Sequence, residues 1–167
     1  MQSLAARIRE KITPANIGYI RPLAICVFRD GNRILVSEGF DPVKQQTFYR
    51  PLGGGIEFGE RGEDTLRREM REELDAEISA VKYLGALENI FIFAGSRGHE
   101  IVMVYDASFV DAALYARAEL DGFENGAPNP RFKAVWKSLD EFDPVRAPVY
   151  PDGLVELLKN HDVLERR

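Results

Sequence analysis

A chain of 167 residues with 45% hydrophobic content can bury one core and is too short for two ordinary domains. Its 22 Lys and Arg against 27 Asp and Glu give a formal charge of -5, which excludes a global attraction to nucleic acid or to an anionic membrane. No apolar run is long enough to span a bilayer, and an acidic protein that handles phosphates needs a cation to help it.

The chain opens with Leu4, Ile8 and Ile12 at one-turn spacing before Pro14. Residues 1–20 are therefore expected to form an amphipathic helix and linker packed on a single domain over 21–167. A targeting peptide is disfavoured by Glu10 and the scarcity of Ser. Apolar runs at 23–28 and 34–36 flank the turn cluster Asp30-Gly31-Asn32 and read as paired strands. The one cysteine, Cys26, lies in the first run, so a buried thiol and a reducing, cytoplasmic setting are expected.

After Pro51 come Gly53, Gly54 and Gly55, read as a glycine-rich turn into a helix over about 62–74, with Glu63 and Asp64 in its first turn. Runs at 81–87, 90–93 and 101–109, rich in β-branched and aromatic residues and separated by Gly95 and Gly98, predict further strands. Residues 121–131 read as a loop, 132–136 as extended, and Leu154, Leu157 and Leu158 mark a closing helix after Pro151. The pattern is α/β, a layered domain with a mixed sheet.

On the helix, Glu69, Glu72 and Glu73 share one stripe beside the apolar stripe of Leu66, Met70 and Leu74. Arg67, Arg68 and Arg71 fall largely on the far side, so the acids are expected to lack local counter-charges. Like charges at these spacings cost roughly 0.2–0.5 kcal/mol per pair. A divalent cation reverses that penalty, and hard oxygen ligands suit Mg²⁺ or Mn²⁺. A solvated acidic face is the competing account, and the adjacent glycines, which let a ligand approach the backbone, count against it.

These residues resemble the Nudix signature, G-x5-E-x7-R-E-U-x-E-E-x-G-U, with U a bulky aliphatic residue. Gly54, Glu60, Arg68, Glu69, Met70, Glu72 and Glu73 stand in register, while Asp75 replaces Gly and Ala76 replaces the aliphatic residue. The resemblance implies a Nudix-type α/β/α sandwich and a MutT-like, metal-dependent hydrolase. Its substrate would be a nucleoside diphosphate derivative: a nucleoside triphosphate, a dinucleoside polyphosphate or a nucleotide sugar such as ADP-ribose. It implies that Glu72 and Glu73 ligate Mg²⁺ or Mn²⁺, that Glu69 is a further ligand or the general base, and that Gly53 offers its carbonyl. Arg68 would orient the carboxylates, with Glu60 as its partner and Glu57 close to the metal or one step behind it. Asp75, at the helix end, is expected to be tolerated in the left-handed conformation.

Family members differ in where the base sits. Glu124 ranks first among Glu119, Asp121 and Glu124 on the distal loop, and Glu100 reads instead as a strand-edge charge. Arg21 and Arg50 are candidates for phosphate contact alongside Gly54 and Gly55, with surface ion pairing an equally good account of the arginines. Phe48, Tyr49, Phe91 and Phe93 offer a stacking face or core packing. His99 and His161 are assigned no catalytic role. The competing class is a catalytically silent Nudix-fold module that senses a nucleotide, disfavoured because the acids are retained. A small nucleotide is the expected partner, nucleic acid and membrane are not, and the oligomeric state is open, a homodimer included.

Overall fold

The computed structural model describes residues 18–124 and 130–165, with side chains as far as His161. The helix expected near the N-terminus falls on residues 1–17, outside the described residues.

β1 (Arg21–Asp30) is the central strand, and its continuous apolar run is buried on both faces. Ala24, Cys26 and Phe28 enter one core, and Leu23, Ile25 and Val27 enter the other. β2 (Arg33–Asp41) returns through Gly31, at φ 59, but pairs with β1 only at Arg29↔Ile34 and Asp30↔Arg33. The two strands then part. β1 takes β6 (Ser96–Phe109) as a parallel neighbour and β4 (Leu52–Gly55) as an antiparallel one. β2 pairs with β3 (Gln46–Arg50) and β8 (Arg131–Ser138), both antiparallel. The expected hairpin thus holds only at its tip.

The eight-stranded sheet runs β5-β6-β1-β2-β8-β7, with β3 on β2 and β4 on β1, and the parallel β1–β6 pair makes it mixed. Two readings are corrected here. The separate runs at 81–87 and 90–93 belong to one long strand, β5 (Ile78–Phe93), because Glu88 and Asn89 continue the ladder with β6 at Glu88↔Ile101 and Asn89↔Glu100. The expected loop at 121–131 is strand at both its ends, because β7 (Glu119–Phe123) pairs with β8 through Gly122↔Phe132 and Phe123↔Arg131, and residues 125–129 lie outside the described residues.

α1 (Gly62–Leu74) buries Leu66 and Met70 against one face of the sheet, and α2 (Leu154–Glu165) buries Leu154 and Leu158 against the other. The result is the expected α/β/α sandwich. α1 stops at Asp75, which adopts φ 50, ψ 39, while its N–H reaches Arg71 O (3.1 Å) and the Ala76 N–H reaches Met70 O (3.1 Å). Ala76 is buried beside it in the core. No helix among the described residues is long and apolar enough to cross a membrane.

Candidate active site

Gly53, Gly54 and Gly55 do not form a turn, as expected from their composition; they lie in β4, where Gly53 pairs with Ile25, Gly54 with Ala24 and Gly55 with Leu23. At Gly53, φ is 143 and a Cβ would run into Ala24 O and the Ile25 backbone, so β4 approaches β1 as only glycine allows. At Gly54 a Cβ would overlap the carboxylate of Glu69, which rests on the strand. The strand and the acidic helix thereby meet.

The acidic stripe carries its own counter-charge, contrary to the expectation from helix spacing. Arg68 donates from Nε to Glu60 Oε1 (2.9 Å), from Nη2 to Glu60 Oε2 (3.0 Å) and Gly55 O (3.1 Å), and from Nη1 to Glu69 Oε1 (2.7 Å). Its Nη1 also comes within 3.7 Å of Glu72 Oε2. A helical wheel places Cβ atoms, whereas a guanidinium on a three-carbon stem can fold back over its own helix. The bonds to Glu60, followed by those to Glu69, hold the guanidinium well above its ordinary pKa, against the opposing effect of burial. Glu60 is also fixed by Thr65 Oγ1 (2.8 Å) and the Glu57 N–H (3.2 Å), while the Glu57 side chain is on the surface.

Glu69 is buried, Glu73 half-buried and Glu72 exposed. Among the described residues no three carboxylate, imidazole or thiol side chains are already gathered closely enough to hold a metal ion. The donors nevertheless suit a hard divalent cation: carboxylates one turn apart, at roughly 5–6 Å between Cβ atoms, can be brought together by side-chain rotation, and β4 sets backbone carbonyls beside them.

Where β1 and β2 part there is a cavity of about 400 Å³, whose wall includes Gly53, Gly54, Gly55, Glu73 and Glu124 together with Arg21 and Arg50. Glu57, Glu60, Arg68, Glu69 and Glu72 are not part of that wall. Glu124 follows directly on β7, and its N–H donates to Pro130 O (2.6 Å), so the sheet positions it at the cavity. Glu119 pairs with Lys133, and neither Glu119 nor Asp121 reaches the cavity.

Glu100 is not a strand-edge charge. It is fully buried, with ion pairs to Arg21 and to Arg50 (3.4 Å) and a hydrogen bond from Asn89 Nδ2 (3.3 Å). Asn89, Glu100 and Arg21 stand in one row across β5, β6 and β1, and Arg50 reaches in from the end of β3. A sequence signal for this existed. Glu100 has the same strand parity as Val102 and Val104, which face the core, so its side chain points inward and requires partners.

Asp41 was also missed. Buried and lining the cavity, it accepts from the N–H groups of Lys44 (3.0 Å), Val43 (2.8 Å) and Ala94 (3.3 Å), joining the β2–β3 connection to the β5–β6 turn. Those bonds, Lys44's first, hold its carboxyl below the usual range. Phe48, Phe91, Phe93 and Tyr150 also line the cavity, with Phe48 edge-on to Phe93 (5.7 Å) and Tyr150 (5.8 Å). Tyr49 instead packs at the core under Lys137. His99 pairs with Glu88 (2.8 Å) and His161 meets Leu84 O (2.6 Å).

A mixed sheet between two helices, with an acidic helix pinned on a glycine strand beside a charged cavity, is the arrangement of a MutT-like α/β domain. The NUDIX domain model matches residues 19–157, and the chain belongs to the Nudix family, whose members are in general pyrophosphohydrolases of nucleotide derivatives. Solved structures agree on the fold. A NUDIX hydrolase from Nitrosomonas europaea superposes with a TM-score of 0.59 at 15% identity, covering 87% of this chain and 90% of that one. A MutT NUDIX hydrolase from Burkholderia pseudomallei gives 0.56 at 20%, covering 84% and 97%. A MutT protein from Bacillus halodurans gives 0.51 at 18%, covering 87% and 82%.

Proposed function

We propose that the protein is a divalent-metal-dependent pyrophosphohydrolase that cleaves a phosphoanhydride bond in a nucleoside diphosphate derivative. The observation that carries this is the seating of Glu69 on Gly54 by Arg68, at the edge of a cavity whose wall holds both Glu73 and two arginines. Glu69, Glu72, Glu73 and the Gly53 carbonyl would hold Mg²⁺ or Mn²⁺. When bound, the metal neutralises the diphosphate and acidifies a water at neutral pH.

The other tasks fall to the chain itself. Arg68 keeps Glu69 in one orientation, which preserves its capacity as ligand or base. Arg21 and Arg50 supply donors for phosphate oxygens, and Gly54 and Gly55 let the phosphates approach the backbone. The cavity is of a size for one nucleoside moiety. Phe48 and Phe91 lean over the cross-strand glycines Gly39 and Gly98 instead of standing off the sheet, which makes them a floor for a planar base.

Glu69 is the preferred base. A second reading gives that role to Glu124, favoured by its place on the cavity wall. The test is a screen of nucleoside triphosphates, dinucleoside polyphosphates and nucleotide sugars with Mg²⁺ or Mn²⁺, followed by Glu69→Gln and Glu124→Gln at saturating metal and substrate. Turnover that survives excess chelator, or full turnover in Glu73→Gln, refutes the metal-dependent reading. A far larger loss in Glu124→Gln than in Glu69→Gln moves the base to Glu124.

A further inference from the structure

We infer that Glu100 is a positioning residue that sets Arg21 and Arg50 as a paired-guanidinium clamp for the diphosphate of the substrate. This rests on the phosphate-handling reading above and deepens it.

Two guanidinium groups facing one cavity repel each other and, unheld, spread into solvent along their flexible stems. Here one carboxylate, itself fully buried, takes a bond from each. The carboxylate is oriented in turn: Asn89 donates to it, and the Asn89 Oδ1 accepts from the Asp152 N–H (3.4 Å), so the row is braced on the segment leading into α2. Each arginine carries five donors in a rigid fork, and Glu100 engages only part of each set. Both arginines stand on the cavity wall, and their side chains keep 21% and 30% of their exposure. Guanidinium surface fixed in place by Glu100 therefore belongs to that wall.

Position supports the assignment. Arg21 lies two residues before Leu23, the partner of Gly55, or roughly 7 Å along β1. An anion held by the clamp is thus adjacent to the glycine strand on which Glu69 rests, as required for one phosphate to be clamped while its neighbour meets the acids. Arg50 belongs to β3, which hangs from β2, so Glu100 also ties together the two parts of the sheet between which the cavity opens.

Glu100→Gln keeps the shape and removes the charge, leaving an amide that can accept from only one arginine. The experiment measures binding of ADP and of inorganic pyrophosphate by calorimetry in excess chelator, where no turnover occurs, so its outcome is independent of whether the hydrolase reading holds. Wild type should bind both, and Glu100→Gln should weaken both about ten-fold or more. In steady state with metal, KM should rise while kcat changes only a few-fold. The effect should run through the arginines: in an Arg50→Gln background, Glu100→Gln should have less than half its effect on binding. If Glu100→Gln does not fold, Glu100→Asp takes its place, since the shorter acid keeps the charge but cannot span both arginines. No pyrophosphate binding by wild type, unchanged or tighter binding in the variant, or full additivity with Arg50→Gln overturns the assignment.

Discussion

Replacing Arg68 by Met keeps the aliphatic stem and removes the charge and the fork that joins Glu60, Glu69 and the Gly55 carbonyl. The side chains of Arg68, Glu60 and Glu69 are 26%, 17% and 9% exposed, between a surface pair and a core pair. Breaking a buried pair costs about 3–5 kcal/mol and losing an exposed one about 0–1, so Arg68→Met should cost about 2–3 kcal/mol. For a domain of this length that is a fall in Tm of roughly 5–10 °C. The assay is thermal unfolding at pH 7 in chelator, so that no metal contributes. Arg68→Lys should recover less than half of the loss, because a point charge cannot reproduce the two-pronged bond to Glu60. A double-mutant cycle with Glu60→Gln should give a coupling of about 1 kcal/mol or more. If Arg68→Met lies within about 0.5 kcal/mol of wild type, the guanidinium does not organise the acidic helix, and the account of Glu69 fails with it.

Gly54→Ala should fold yet lose roughly a hundred-fold in metal-dependent turnover, because the added methyl displaces the Glu69 carboxylate; turnover within two-fold of wild type refutes the contact. Asp75→Gly should raise stability by about 0.5 kcal/mol by relieving the left-handed conformation, with turnover unchanged, as read by denaturant unfolding and steady-state kinetics. Because the folded-state pKa of Asp41 is depressed, its contribution is complete above the unfolded value of about 3.9 and is lost as pH falls through the lower folded value. Asp41→Asn should flatten that part of the acid-unfolding profile, and an unchanged profile counts against the three N–H bonds. Burial, with a smaller contribution from Asp106, pushes the Cys26 thiol up, so a disulfide reagent should label it only on unfolding.

The sequence alone was sufficient for whatever depends on local pattern. A continuous apolar run marked β1 as a strand, and the stretch free of Pro and internal Gly marked α1 to its ends. The signature spacing of Gly54, Glu60, Arg68, Glu69, Glu72 and Glu73 pointed to the family. Asp75 was legible as a left-handed cap through the signature, whose Gly at that position implies this conformation, one that Asp tolerates better than most side chains.

Only the tertiary structure decided which charges meet. The signature implied that Arg68 orients the carboxylates, while wheel positions set it apart from them; it reaches Glu69 because a long stem can depart from the wheel position of its Cβ. Gly53, Gly54 and Gly55 form a strand because β1 lies beside them, a pairing that no glycine run announces. Glu100 finds Arg21 and Arg50 from 79 and 50 residues away, through strand register. Register is set by the hydrophobic alternation of whole strands and by the turns that join them, so it is a property of the assembled sheet. Spacing within one helix can therefore be read from the chain, while a site assembled from β1, β3, β5 and β6 exists only once the sheet has formed.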